Sequence, residues 1–181
     1  MQRMAAIAVV SFLLFSKTVA QDSAPAKPYD VAEAYQIYSL LIPHEESYGF
    51  AKDTLMIRED TVSMKISRAD LTPDAANKFM DTIAVFNRIN SRKWLLQRRC
   101  QIQKSYTLVG AAIIKNLPDQ PPSSAAYVEM SVVAFNHERT RAIVYLSNSC
   151  GGLCGSFRFH LLEKRHGKWK EVPGATSVGF S

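Results

Sequence analysis

Cys150 and Cys154 are the residues with the most explicit chemistry in this chain. They bracket the glycine-rich run Cys150-Gly151-Gly152-Leu153-Cys154-Gly155. At the end of a hairpin, two such residues stand opposite each other with Cα atoms about 4.5–5.5 Å apart, a separation that suits a disulfide. The bridge would close a small loop and lock the turn, adding about 2 kcal/mol. Two other readings stay open: Cys100 pairs with one of the two, or the pair has a redox role. The redox motif spaces its cysteines by two residues, and this pair has three. Cys100 otherwise reads as a buried thiol.

A zinc site needs about four ligands, with histidine the natural complement to cysteine. His137 and His166 fall in turns at the far end of the predicted hairpins, roughly 20 Å from the cysteines at about 3.3 Å per strand residue. His160 is mid-strand, about 15 Å or more away, and only His44 arrives from elsewhere. No metal site and no Cys–His nucleophilic pair is expected. The chain also lacks a glycine-rich phosphate loop, a Gly-x-Ser-x-Gly elbow and a His-Glu-x-x-His helix. No carboxylate pair shares a predicted cleft, so no catalytic residue and no cofactor is assigned.

The other chemical signal is charge. Arg88, Arg92, Lys93, Arg98, Arg99 and Lys104 make 88–104 the most basic stretch, with Trp94 inside it. Arginines beside an aromatic can track phosphates or polyanionic glycans. The same composition also makes an ordinary solvated face, with long stems lying over apolar surface. Arg88, Arg92, Lys93, Arg98 and Arg99 are therefore the candidate anion-binding residues, with an anionic cell-envelope polymer as the partner they would suit. The formal charge of the whole chain is +6. Without Arg3 and Lys17 it falls to +4, too little to establish a nucleic-acid partner.

Those two residues leave with a predicted signal peptide, residues 1–20. Arg3 supplies the basic start, Ala5 to Phe15 the apolar run, and Thr18-Val19-Ala20 the small residues for cleavage. Export to a periplasmic or extracellular compartment follows, and an oxidising compartment favours a disulfide. No later run is long and apolar enough to anchor the mature chain in a membrane. Residues 21–29, with Pro25 and Pro28, read as a flexible leader, and residues 30–181 as one domain.

Within that domain, Asp30 and Glu33 frame a helix start, and Val31, Ala34, Tyr35, Tyr38, Leu41 and Ile42 form its apolar stripe up to Pro43. Thr54 to Glu59 reads as a strand, and Thr61 to Ile66 as its continuation or a second one. Thr72-Pro73-Asp74 opens a helix whose spacing holds to about Asn90. Ser105 to Gly110 reads as extended, Ala111 to Leu117 fits either type, and 118–124 is a loop.

From Tyr127 to Val172 the pattern is strands. Tyr127 to Phe135 alternates, Arg141 to Ser147 is apolar on both faces, and Phe157 to Lys164 puts Phe157, Phe159 and Leu161 on one face. Arg158, His160, Leu162 and Lys164 form its expected wetter face. Lys168 to Val172 follows a tight turn at Arg165-His166-Gly167. The predicted fold class is α+β: N-terminal helices packed on a C-terminal four-stranded antiparallel meander, compatible with a cystatin-like or NTF2-like roll.

Met130 to Asn136, Ala142 to Tyr145, the Cys150 to Gly155 turn, and Leu161 to Lys164 with Gly167-Lys168-Trp169 together resemble a group of small exported bacterial proteins of uncharacterised function. Its members share a Cys-Gly-x-x-Cys-Gly turn and a Gly-Lys-Trp hairpin. The resemblance covers about the last fifty residues. It implies export and a bacterial envelope setting, and brings no catalytic residue. Phe157 after the turn and the ending Gly179-Phe180-Ser181, where a tryptophan is expected, depart from the pattern. A secreted or periplasmic binding or accessory domain without catalysis is the leading expectation. A small hydrolase- or isomerase-like enzyme with a pocket between helices and sheet is the alternative, and envelope-polymer binding through 88–104 a third.

Overall fold

The computed structural model describes residues 26–45, 54–117, 127–149, 155–176 and 179–180. Among them, ten strands and four α-helices follow in the order β1 (Lys27–Pro28), α1 (Ala32–Glu45), β2 (Thr54–Arg58), α2 (Pro73–Lys78), α3 (Met80–Ile89), β3 (Trp94–Leu95), β4 (Ser105–Val109), α4 (Ala111–Lys115), β5 (Tyr127–Met130), β6 (Ala134–Phe135), β7 (Arg141–Ser149), β8 (Gly155–Arg165), β9 (Lys168–Glu171) and β10 (Gly179–Phe180). The predicted signal peptide, most of the leader and the cysteine turn at 150–154 lie outside the described residues.

The expected fold class is corrected. One mixed sheet runs in the order β10-β8-β7-β5-β2-β4, with β6 also on β7 and β9 also on β8. Its C-terminal strands pair antiparallel, but β2 pairs in parallel with both β5 and β4. No separate meander exists for helices to pack on, and only α1 precedes the sheet, the other three helices falling between its strands. They sit in the crossovers, α2 and α3 between β2 and β4, and α4 between β4 and β5. Parallel neighbours require such crossovers. The protein is mixed α/β.

Both faces of this sheet are covered, each by its own helices. On one side, α1 packs Ala34, Tyr35, Ile37, Tyr38, Leu41 and Ile42 against Leu55, Ile57, Val128, Met130, Val144, Leu146 and Leu162. On the other, Phe79, Ile83 and Phe86 of the α2–α3 region pack on Ala134, Ile143 and Leu161. The second cover is partial, since α3 lies over β6 and β7. Thr72 caps α2 as its sequence predicts, its Oγ1 accepting from the Ala75 amide, with Pro73 in the first helical position. The helix expected to reach Asn90 is broken at Phe79, which leaves α-geometry at φ −106°. At the other end, α1 runs two residues past Pro43.

The strand expected from Tyr127 to Phe135 is interrupted at 131–133, and the backbone there is satisfied by side chains from both helical layers. The Tyr38 hydroxyl donates to the Ser131 carbonyl (2.8 Å), the Asn90 amide to that of Val132 (3.1 Å) and the Tyr29 hydroxyl to that of Val133 (3.1 Å). Asn90 also accepts the Val132 amide at 2.8 Å. An unpaired buried backbone group costs about 1–3 kcal/mol, so these donors are what make the interruption tolerable.

Glu33 ties α1 to the β8–β9 hairpin. Its carboxylate, 16% exposed, receives Lys164 Nζ at 2.5 Å, Arg139 at 3.1 Å and Trp169 Nε1 at 3.2 Å. Burial pulls its pKa upward, but these donors outweigh that and hold it below the usual carboxylate range. The Gly-Lys-Trp turn thus places Trp169 as a structural clasp. His166 (φ 51°) and Gly167 (φ 75°) give it the left-handed backbone of a tight hairpin.

Candidate functional site

The basic stretch separates into two places. Arg88 is exposed in the last turn of α3, and Arg92 lies over the Trp94 ring, 4.2 Å from its centroid. Lys93 is 2.7 Å from Asp60. Arg98 and Arg99 follow after β3, next to α1 and β4. There they sit over tyrosines, Arg98 over Tyr106 at 5.5 Å and Arg99 over Tyr35 at 5.3 Å. Arg99 also pairs with Asp30.

Residues 97–101 have no regular structure, yet they are held. The Gln97 amide donates to the Tyr35 hydroxyl (2.8 Å), the Cys100 amide to the Tyr106 hydroxyl (3.0 Å) and the Gln101 amide to Ser39 Oγ (2.7 Å). Ser39 in turn donates to the Tyr35 carbonyl at 2.6 Å, one helical turn back in α1. Three hydroxyls therefore fix a strap of chain alongside α1. Pinned in this way, the strap turns Arg98, Arg99 and Gln101 outward and Cys100 toward the core.

Between the strap and the outer stripe of α1 (Ala32, Gln36, Ser39, Pro43) run two shallow recesses of about 380 and 620 Å³, and a third of about 340 Å³ continues past Arg98 to Tyr106. The 620 Å³ recess shares Ser39 and Gln101 with the 380 Å³ one and Ile102, Gln103 and Lys104 with the 340 Å³ one, so the three run on as one groove. Gln36, Gln101 and Gln103 offer amides that both donate and accept, and Arg98 and Lys104 add positive charge beside the Arg99–Asp30 pair. Such a lining suits a polar, anionic chain. Burial pushes the Cys100 thiol up to about 12 despite its bond from Tyr106, so this thiol is protonated near neutral pH. Among the described residues Cys100 has no disulfide partner.

The histidines do not converge. His137 and His166 are exposed in turns, and His44 lies in the last turn of α1. His160 corrects an expectation: on the wetter face assigned to β8, His160 and Leu162 are both 0% exposed, while Arg158 and Lys164 keep partial exposure. The cause is α1, which covers that face while α3 covers the opposite one. His160 Nδ1 is 2.8 Å from Glu171 Oε1, a partnership between β8 and β9 that strand alternation alone did not reveal. Among the described residues no three His, Cys, Asp or Glu side chains gather as metal ligands. No described helix is long and apolar enough to cross a membrane.

Cys150 and Cys154 lie outside the described residues. Ser149 and Gly155 stand opposite each other in the β7–β8 ladder, so the segment carrying both cysteines joins those two strands. The residues missed from the sequence are Tyr35, Ser39 and Tyr106. Each scans as an ordinary helix or strand residue, and its hydroxyl matters only because α1, the strap and β4 meet. Comparison of the chain with family models, with curated proteins and with solved structures finds no match.

Proposed function

We propose that this protein is an exported, non-catalytic binding domain whose groove beside α1 takes an anionic polymer of the cell envelope. The observation that carries this reading is the strap itself. Three hydroxyls hold residues 97–101 so that Arg98, Arg99, Gln101 and Gln103 line one open groove. A guanidinium seated over a ring keeps its edge N–H groups for a ligand, because the ring occupies only its face. The apolar run Ala5 to Phe15 and the resemblance of the last fifty residues support export, and a Cys150–Cys154 bridge belongs to the same reading. Peptide mapping of exported protein without reductant would give 150–154 as a linked pair. Two free thiols there would remove the bridge.

The binding test is titration with soluble teichoic acid and with heparin as anionic probes, at rising salt. Counterion release makes binding weaken steeply with ionic strength. Replacing both Arg98 and Lys104 by alanine should weaken it at least tenfold and flatten the salt slope. Binding indifferent to salt or to that double replacement would end the proposal. The His160–Glu171 pair is the one observation that favours a small enzyme. With its imidazole at 0% exposure, that reading requires the surrounding layer to open.

A further inference from the structure

On the sheet face that carries α3, the residues of β2, β5 and β8 away from that helix keep partial exposure. On β5, β7 and β2 every second residue is only half-buried: Tyr127 and Glu129, Tyr145 and Ser147, Met56 and Arg58. On β8, Phe157 is 43% exposed. The register sets Glu129 opposite Ser147, and Ser147 opposite Phe157. Arg58 reaches Glu129 from β2 at 2.6 Å, so the row from Arg58 to Phe157 crosses three strand spacings, about 14 Å.

One end of this row is ionic and the other aromatic. Arg58 forks onto Asp60 at 2.6 and 3.0 Å, and Lys93 completes Asp60 at 2.7 Å. Two cations and two carboxylates therefore balance. Ser147 Oγ donates to Glu129 at 3.5 Å. Beyond it the rings continue: Tyr145 to Phe157 at 6.5 Å, Tyr145 to Phe159 at 5.4 Å, and Phe159 to Phe86 in the core at 5.7 Å. Core packing thus props the outermost ring from behind.

We infer that this row is a second binding site, for the pyranose rings of a neutral glycan. A sugar ring has an apolar C–H face and a hydroxyl edge. The exposed Phe157 ring offers a surface for the first, and Ser147 and Glu129, the latter positioned by Arg58, offer a donor and acceptors for the second. The charge balance separates this site from the groove, since a row with no net charge gives a charged polymer no electrostatic advantage. The site is rigid before binding, because each polar group is already held by its neighbour.

The test titrates the full exported protein with chitohexaose, cellohexaose and maltohexaose, followed by amide chemical shifts. Saturable shifts on β5, β7 and β8 around Ser147 and Phe157, unchanged between low and high salt, are expected with at least one of the three. Phe157→Ala should weaken that binding at least tenfold. Phe157→Leu, which keeps apolar volume but no ring, should weaken it nearly as much while the melting temperature holds. Full binding by Phe157→Leu would overturn the stacking role. No saturation by any hexasaccharide, shifts confined to the α1 groove, or a dimer that Phe157→Ala dissociates would overturn the site. Salt-sensitive polyanion binding is read separately, so either site can fail alone.

Discussion

Arg58 and Arg98 carry the same group in opposite settings. Arg58 is gripped by Asp60 and Glu129, with 17% of its side chain exposed, and those carboxylates hold its pKa above the ordinary arginine value. Arg98 is exposed, rests on the Tyr106 ring, and meets no carboxylate among the described residues. The first charge is consumed in holding β2 to β5, and the second stays presentable. Counting arginines along 88–104 cannot tell these roles apart. What separates them is whether the partner is a carboxylate, which neutralises, or a ring, which only orients.

Four experiments press on that difference. Arg58→Ala strands Asp60 and Glu129 side by side and should cost about 2–3 kcal/mol in urea denaturation, as for a partly buried charge left unpaired. Arg58→Lys should recover less than half, because an ammonium cannot fork. A loss under about 0.5 kcal/mol for Arg58→Ala would erase the contrast. Glu33→Gln is next, at about 1.5 kcal/mol by the same measurement, since the clasp keeps its shape but loses charge opposite Lys164 and Arg139.

The third experiment is acid. Burial pulls Asp60 upward, but Arg58 and Lys93 outweigh it and hold the carboxyl at about 2, against 3.8 unperturbed. A depressed carboxylate stabilises the fold above its unfolded pKa and loses that stabilisation as pH falls through the folded one. The gap in stability between the parent and Asp60→Asn, about 1 kcal/mol at pH 7 after allowing for solvent screening, should therefore close between pH 4 and pH 2. A gap that persists at pH 2 would assign it to packing. The smallest effect is Arg98→Ala, which should move stability by less than about 0.5 kcal/mol while weakening polyanion binding.

Local signals were legible where the cause is local. The apolar stripe of α1 and the Thr72-Pro73 start of α2 follow from sequence spacing, and both are present. The parallel placement of β2 was not legible. Thr54–Arg58 and Ser105–Val109 are five residues each, and the strands they join are separated by long crossovers, so nothing in either names its partner. His160 was misassigned for a related reason: alternation marks two faces, but only tertiary packing decides whether both are covered. Similarly, 88–104 announced its charge, while the hydroxyls that shape its second half come from Tyr35, Ser39 and Tyr106.

The interruption at 131–133 has a mechanical consequence. Tyr38 reaches it from above the sheet and Asn90 from below, so one three-residue segment is riveted to both layers. Sliding either layer along the strands would break bonds to the other. The two helical covers are thereby locked against shear, and the Val132 amide should be among the last in the molecule to exchange with deuterium.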